Sequence, residues 1–264
     1  MLDFTLKETY GFDDLLRIME ILRAPDGCMW DREQDHHSIR RNFIEETYEA
    51  VEAIDNEDTA LLKEELGDVL LQVVFHAQME KEKGTFDMGD VADGVCKKLI
   101  YRHPHIFGQT EVHSTAEILD NWDALKKKEK RQQTVTDSLQ SVARSLPGLI
   151  RADKLQSKAA KAGFDWENAS QAAGKVREEL DEALAAHGPD ERADEAGDLL
   201  FAAVNVARML GVEPEQAMER ACDKFIRRFA RVEDQAQKEG KALSALPLSE
   251  LERLWQNAKA EEQP

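Results

Sequence analysis

Apolar residues recur at helical spacing along almost the whole of this chain. Leu15, Leu16, Ile18, Met19 and Leu22 mark one face of a helix over 13–23, with Asp13 or Asp14 placed to cap it. A Pro/Gly loop, APDGCMWDREQ, follows and holds Trp30. The pattern resumes as helices over 39–54 and 59–83, with a turn at Asn56-Glu57-Asp58 between them. Gly84 stands where a helix C-terminus favours glycine. Helices are also predicted over 88–101, stopped at His103-Pro104-His105, and over 115–131, which carries the basic run Lys126-Lys127-Lys128. Residues 132–147 have weaker periodicity and read as a connector. A second helical series covers 148–162, 168–186, 190–210, 214–239 and 249–261. No stretch alternates as a strand does, so the predicted class is all-α.

Acidic residues interrupt two of these apolar patterns in a regular way. Glu178-Glu179-x-x-Glu182 is followed, after twelve intervening residues, by Glu195-x-x-Asp198. Acids at i and i+3 share a helix face. His187-Gly188-Pro189 breaks the helical pattern between the two groups, so the helices they sit on are predicted to pack antiparallel. Glu179, Glu182, Glu195 and Asp198 then converge. Four convergent carboxylates repel one another unless a hard cation lies among them. A solvated acidic face would be the ordinary reading in so acidic a chain, but the arrangement occurs twice. Glu45-Glu46-x-x-Glu49 and Glu65-x-x-Asp68 form the earlier copy, and both copies continue as Gly-Asp-x-Leu into an apolar run. Glu46, Glu49, Glu65 and Asp68 are therefore a second candidate metal site. All-oxygen ligation favours Mg²⁺, or Mn²⁺, over iron or zinc.

Other landmarks repeat in the same order. Gly27-Cys28-Met29-Trp30 aligns with Gly163-Phe164-Asp165-Trp166, Lys98 and Arg102 with Lys224 and Arg228, and Trp122 and Lys126 with Trp255 and Lys259. The offsets lie between 126 and 136 residues, which describes a duplicated domain and not a solenoid. The expected organisation is an N-terminal domain over 1–131, a connector over 132–147 and a C-terminal domain over 148–264. Lys224 and Arg228, at i and i+4, share a face beside the acids, and a metal site next to such cations suits a polyphosphate. Trp255 suits either stacking on a base or anchoring the last helix. Trp30 and Trp166, after glycine-containing turns, are expected to pack structurally.

The net charge of −18 disfavours binding to nucleic acid and to anionic lipid, and makes a cation the natural bridge to an anionic substrate. Three scattered cysteines show neither zinc spacing nor a disulfide framework, which suits reduced cytoplasmic thiols. No signal sequence or membrane span is expected. A P-loop, a dinucleotide fingerprint and the Glu-x-x-His of di-iron bundles are all missing from the sequence.

The duplicated EExxE…ExxD pattern, with CMWDREQ, EELGDVLLQVVFHAQ, RHPHIFG, GFDW and GDLLFAAVNVAR, resembles the MazG nucleoside triphosphate pyrophosphohydrolases of the tandem-domain bacterial type. The resemblance implies two helical bundles related to the dimeric dUTPases, pairing as a homodimer. It implies Mg²⁺-dependent hydrolysis of nucleoside triphosphates, ATP among them, to monophosphate and pyrophosphate with broad base selectivity. Glu179, Glu182, Glu195 and Asp198 would then be the catalytic metal ligands, and Lys175, Glu178, Lys224, Arg228, Trp255 and Lys259 would face the substrate. Lys175 lies four residues before Glu179, where the first copy has Asn42, so the C-terminal site is expected to be the main catalyst. Two other classes stay open on the residues alone: a metal-binding helical regulator without turnover, and a phosphohydrolase that cuts a different bond.

Overall fold

The computed structural model describes residues 4–130 and 132–261, and every regular element among them is a helix. The chain divides after Lys126 into two compact units.

The first unit is built on a hairpin of α3 (Arg40–Asp55) and α4 (Thr59–Lys83). Asp58 starts α4 by accepting from the amides of Ala60 and Leu61, each at 3.0 Å. Gly84 ends it in the left-handed conformation, φ 71°. On α4 also pack α1 (Phe12–Arg23) and α5 (Met88–Arg102), the latter opened by an Asp87/Asp90 capping box. Met19 of α1, Ile39 and the α4 residues Val74, Phe75 and Met79 form the core. The loop expected between α1 and α3 contains a short helix, α2 (Met29–Glu33), which packs on α1. Two further helices follow: α6 (Pro104–Phe107), which begins on the proline that stops α5, and α7 (Thr115–Glu129), within whose last turn the division falls.

The second unit repeats the hairpin with α10 (Ala169–Ala185) and α11 (Pro189–Met209), turned at Gly188 with φ 90°. Asn168 caps α10 through the amide of Gln171, and Pro189 opens α11. α9 (Gly148–Lys161) packs on α11 and on α12 (Pro214–Lys238), and α13 (Leu248–Ala260) packs on α12 around Val232, Ala236, Leu254 and Ala258. Within the stretch expected as a connector lies α8 (Val135–Gln140), held to α9 by a 2.8 Å bond from Lys158 Nζ to the buried Ser138 Oγ.

Candidate metal and substrate site

On the α10–α11 hairpin three of the four acids expected to converge come together. Carboxylate oxygens of Glu179 and Glu182 on α10 and Glu195 on α11 lie within 4.8 Å of one another. Asp198 follows one turn beyond Glu195 and is exposed. Glu179 is buried, at 5% exposure. Burial, followed by the charge of Glu179, pushes the Glu182 carboxyl above its ordinary value, with Glu195 adding to the effect. A cation already partly offsets this repulsion: Lys175 Nζ lies 2.8 Å from Glu178 and 2.6 Å from Glu179. Hydrogen bonds that it donates to Glu178 and then to Glu179 raise the lysine above its ordinary value. Both are pairs along one face of α10, at i, i+3 and i, i+4, and the second engages a member of the cluster.

The first unit forms the matching cluster. Glu46 and Glu49 on α3 and Glu65 on α4 also lie within 4.8 Å of one another. Here the buried acid comes from the second helix of the hairpin, Glu65, at 8% exposure. Burial and then the charge of Asp68 raise Glu46, and burial and then Glu49 raise Glu65, so Asp68 belongs to this electrostatic group. Asn42 stands at the position of Lys175, and the nearby Arg41 pairs with the outer acid Glu45 at 2.7 Å.

The basic and aromatic landmarks assemble on a different helix pair. The Arg228 guanidinium on α12 lies 6.0 Å from the centre of the Trp255 ring on α13, and Phe225 meets the same ring at 5.2 Å. Lys224 is exposed, and Lys259 is half-buried one turn beyond Trp255. In the first unit Arg102 and Lys126 approach the Trp122 ring at 5.6 and 5.3 Å. The Arg102–Trp122 contact thus recurs as the Arg228–Trp255 contact.

The other end of the α10–α11 hairpin carries polar groups outside the predicted set. Arg208 Nε donates to Asn205 Oδ1 at 3.0 Å, and its Nη2 pairs with Asp165, tying the Gly163-Phe164-Asp165-Trp166 turn to α11. That ion pair holds Asp165 below its ordinary value. Asn205 and Arg208 are polar residues inside the apolar run LLFAAVNVARML, which was the available signal.

Comparison with known proteins agrees with this architecture. The model of the MazG nucleotide pyrophosphohydrolase domain matches twice, over residues 34–107 and 176–232, and each match contains one acid cluster. The chain is 43% identical over 248 residues to the nucleoside triphosphate pyrophosphohydrolase/pyrophosphatase MazG of Thermotoga maritima, covering 94% of this chain and 95% of that protein. The chain belongs to the MazG family. It is 42% identical over 256 residues to the nucleoside triphosphate pyrophosphohydrolase of Escherichia coli K12, covering 95% of this chain and 97% of that one. A Bacillus subtilis relative, YabN, is 45% identical over 258 residues, but these make up only 52% of its length. This family member is therefore an enzyme of the all-α pyrophosphohydrolase class, and the two helical hairpins carry its repeated domain.

Proposed function

We propose that the chain hydrolyses nucleoside and deoxynucleoside triphosphates between the α- and β-phosphorus, releasing monophosphate and pyrophosphate, with Mg²⁺ (or Mn²⁺) held by Glu179, Glu182, Glu195 and Asp198. The observation that carries this reading is the three-carboxylate cage on the α10–α11 hairpin with the Lys175 ammonium drawn against it. The donors are all oxygen and their spacing suits one hard cation or two. When bound, the ion would neutralise phosphate charge and acidify a water. The protein's own groups would do the rest. A water attacks the α-phosphorus, its proton passes to a carboxylate of the cluster, and the bond to the bridging oxygen breaks with pyrophosphate as leaving group. Lys175 would move from Glu179 to a phosphate oxygen, with Glu178 keeping it at the rim. Lys224, Arg228 and Lys259 would take other phosphate oxygens. Loose base selectivity and a role in clearing nucleotide pools are part of the same proposal.

The second hairpin is assigned the main activity because it alone has Lys175 beside its acids. Reciprocal variants test the assignment. Glu179→Gln/Glu182→Gln should reduce turnover by at least about a hundredfold, the scale expected when charge stabilisation of a transition state is lost. Glu46→Gln/Glu49→Gln should leave most of it. The opposite pattern would place catalysis in the first unit.

A further inference from the structure

The first hairpin is closed at its two ends by different means. At one end the turn at residues 56–58 joins α3 to α4. At the other the chain enters α3 through residues 34–39, and a polar contact fastens this loop to α4. His36 Nδ1 lies 2.7 Å from His76 Nδ1, and His36 Nε2 lies 2.6 Å from Glu80 Oε1. The two rings are nearly parallel, with 9° between their planes and 5.0 Å between their centres. Phe43, near the start of α3, meets the His76 ring at 5.6 Å. His76 and Glu80 stand at i and i+4 on α4, so both face the loop. Asp35 stiffens the loop by accepting from the amides of His37 and Ser38, each at 2.8 Å.

The number of protons this contact tolerates follows from its donors and acceptors. Hydrogen bonds from Lys83, Thr85 and His36 hold the Glu80 carboxyl down to about 2. Ionised, it only accepts, so His36 Nε2 carries a hydrogen. With both rings neutral, His36 Nδ1 is the acceptor and His76 Nδ1–H the donor. One added proton is accommodated: His36 becomes imidazolium, donates from both nitrogens, and His76 Nδ1 accepts. A second is not. Both Nδ1 atoms would carry hydrogens across 2.7 Å, and two positive rings would lie stacked.

The groups around the pair leave the second charge without compensation. Glu80, from α4, is already engaged by Lys83 Nζ at 2.7 Å. Asp35, from the loop, is engaged by its two amides. α3 presents the Phe43 ring. α1 and α5 reach this part of α4 with Leu15, Leu16, Met19 and Met88, and the Arg23 guanidinium of α1 is bound to Glu82. Burial and then the charge of His36 lower His76 below its ordinary value, in agreement with the proton count. The second hairpin is built differently. With Glu65 and Asp68 matched to Glu195 and Asp198, Val206 stands in place of His76 and Leu210 in place of Glu80.

We propose that His36, His76 and Glu80 form an acid-opened latch on the first hairpin. It stays shut while the histidine pair is neutral or singly protonated, and it releases the entry of α3 from α4 when the pair takes a second proton. The turn at 56–58 lies about 22 Å further along α3 and does not restrain the released end. The second hairpin keeps its form.

The test is amide hydrogen exchange of the full chain in chelator, at about pH 7.5 and about pH 5, with rates corrected for the intrinsic effect of pH. Residues 34–47 report the latch, and 167–180, the matching part of the second hairpin, are the reference. The open pair takes up a proton that the closed pair excludes, so each pH unit below the ordinary histidine value of 6.5 favours opening about tenfold. The wild type should lose protection over 34–47 by about tenfold or more at the lower pH, with 167–180 changed by less than about threefold. His76→Phe keeps a ring against His36 and Phe43 but takes no proton, so its loss over 34–47 should stay below about threefold. His36→Phe makes the same substitution from the loop side and decides the matter if His76→Phe does not fold. A wild-type loss below about threefold over 34–47 would overturn the latch whatever the variants do. So would a loss as large as that of the wild type in a folded variant.

Discussion

Glu182 shows most plainly how function and stability oppose each other in this chain. Its carboxyl is raised by burial and by its neighbours Glu179 and Glu195, so the folded state penalises the charged form. A carboxyl raised on folding contributes stability below its unfolded value of 4.5, and that contribution is lost as pH rises through the folded value. At neutral pH, without a divalent cation, the cluster therefore works against the fold. Glu182→Gln should leave the melting temperature in chelator no lower than that of the wild type while cutting turnover by at least about a hundredfold. Added Mg²⁺ should stabilise the wild type much more than the variant. A variant that melts lower than wild type in chelator would contradict this account of the site. The acids themselves could be read from the sequence because i, i+3 spacing survives in any helix and the pattern was written twice. The bond from Gln156 to the Phe201 carbonyl could not, because it depends on which residue of α9 the fold sets beside that carbonyl, 45 positions away.

At the scale of elements, the helices fell within one or two residues of their predicted ends, because caps and breakers such as Asp58, Gly84, Gly188 and Pro214 fix them locally. The short α2 escaped notice because Pro25-Asp26-Gly27 reads as a loop and five residues are too few to show a period. α8 was likewise too short to stand out, though its Thr134/Asp137 capping box was visible in the letters. One tertiary link between elements has a defined pH response. His36, ahead of α3, shares a 2.7 Å Nδ1–Nδ1 contact with His76 of α4, and its Nε2 lies 2.6 Å from Glu80. Hydrogen bonds from Lys83, Thr85 and His36 hold Glu80 down to about 2, while burial and then the charge of His36 lower His76. Both groups are depressed on folding, so both contributions are present above their unfolded values of 4.5 and 6.5 and are lost on acidification. Glu80→Gln should therefore destabilise the first unit at pH 7 and lose that effect as pH falls toward 2. His76 should titrate below 6.5 when its ring protons are followed by NMR. Titration at or above that value would show that the stacked pair does not form.

At the scale of the whole molecule, the hairpins leave much apolar surface uncovered. Leu184 on α10 is 78% exposed, Ile54 on α3 57% and Leu66 on α4 54%. Large exposed apolar side chains spaced along helix faces indicate a surface that another helix covers. A homodimer, in which hairpins from two chains complete each bundle, is the assembly proposed here. Sedimentation at micromolar concentration should give twice the mass of the 264-residue chain, and a monomer at that concentration would exclude it. Among the described residues no helix is long and apolar enough to cross a membrane.

The central claim is cleavage at the α-phosphorus by a carboxylate-held cation, and product identity tests it most directly. Purified protein is incubated with ribo- and deoxynucleoside triphosphates in Mg²⁺, and mono- and diphosphates, pyrophosphate and orthophosphate are resolved. The account predicts monophosphate and pyrophosphate in equal amounts, abolished by chelator and restored by Mg²⁺ or Mn²⁺. Diphosphate with orthophosphate, or products that persist undiminished in chelator, would contradict it.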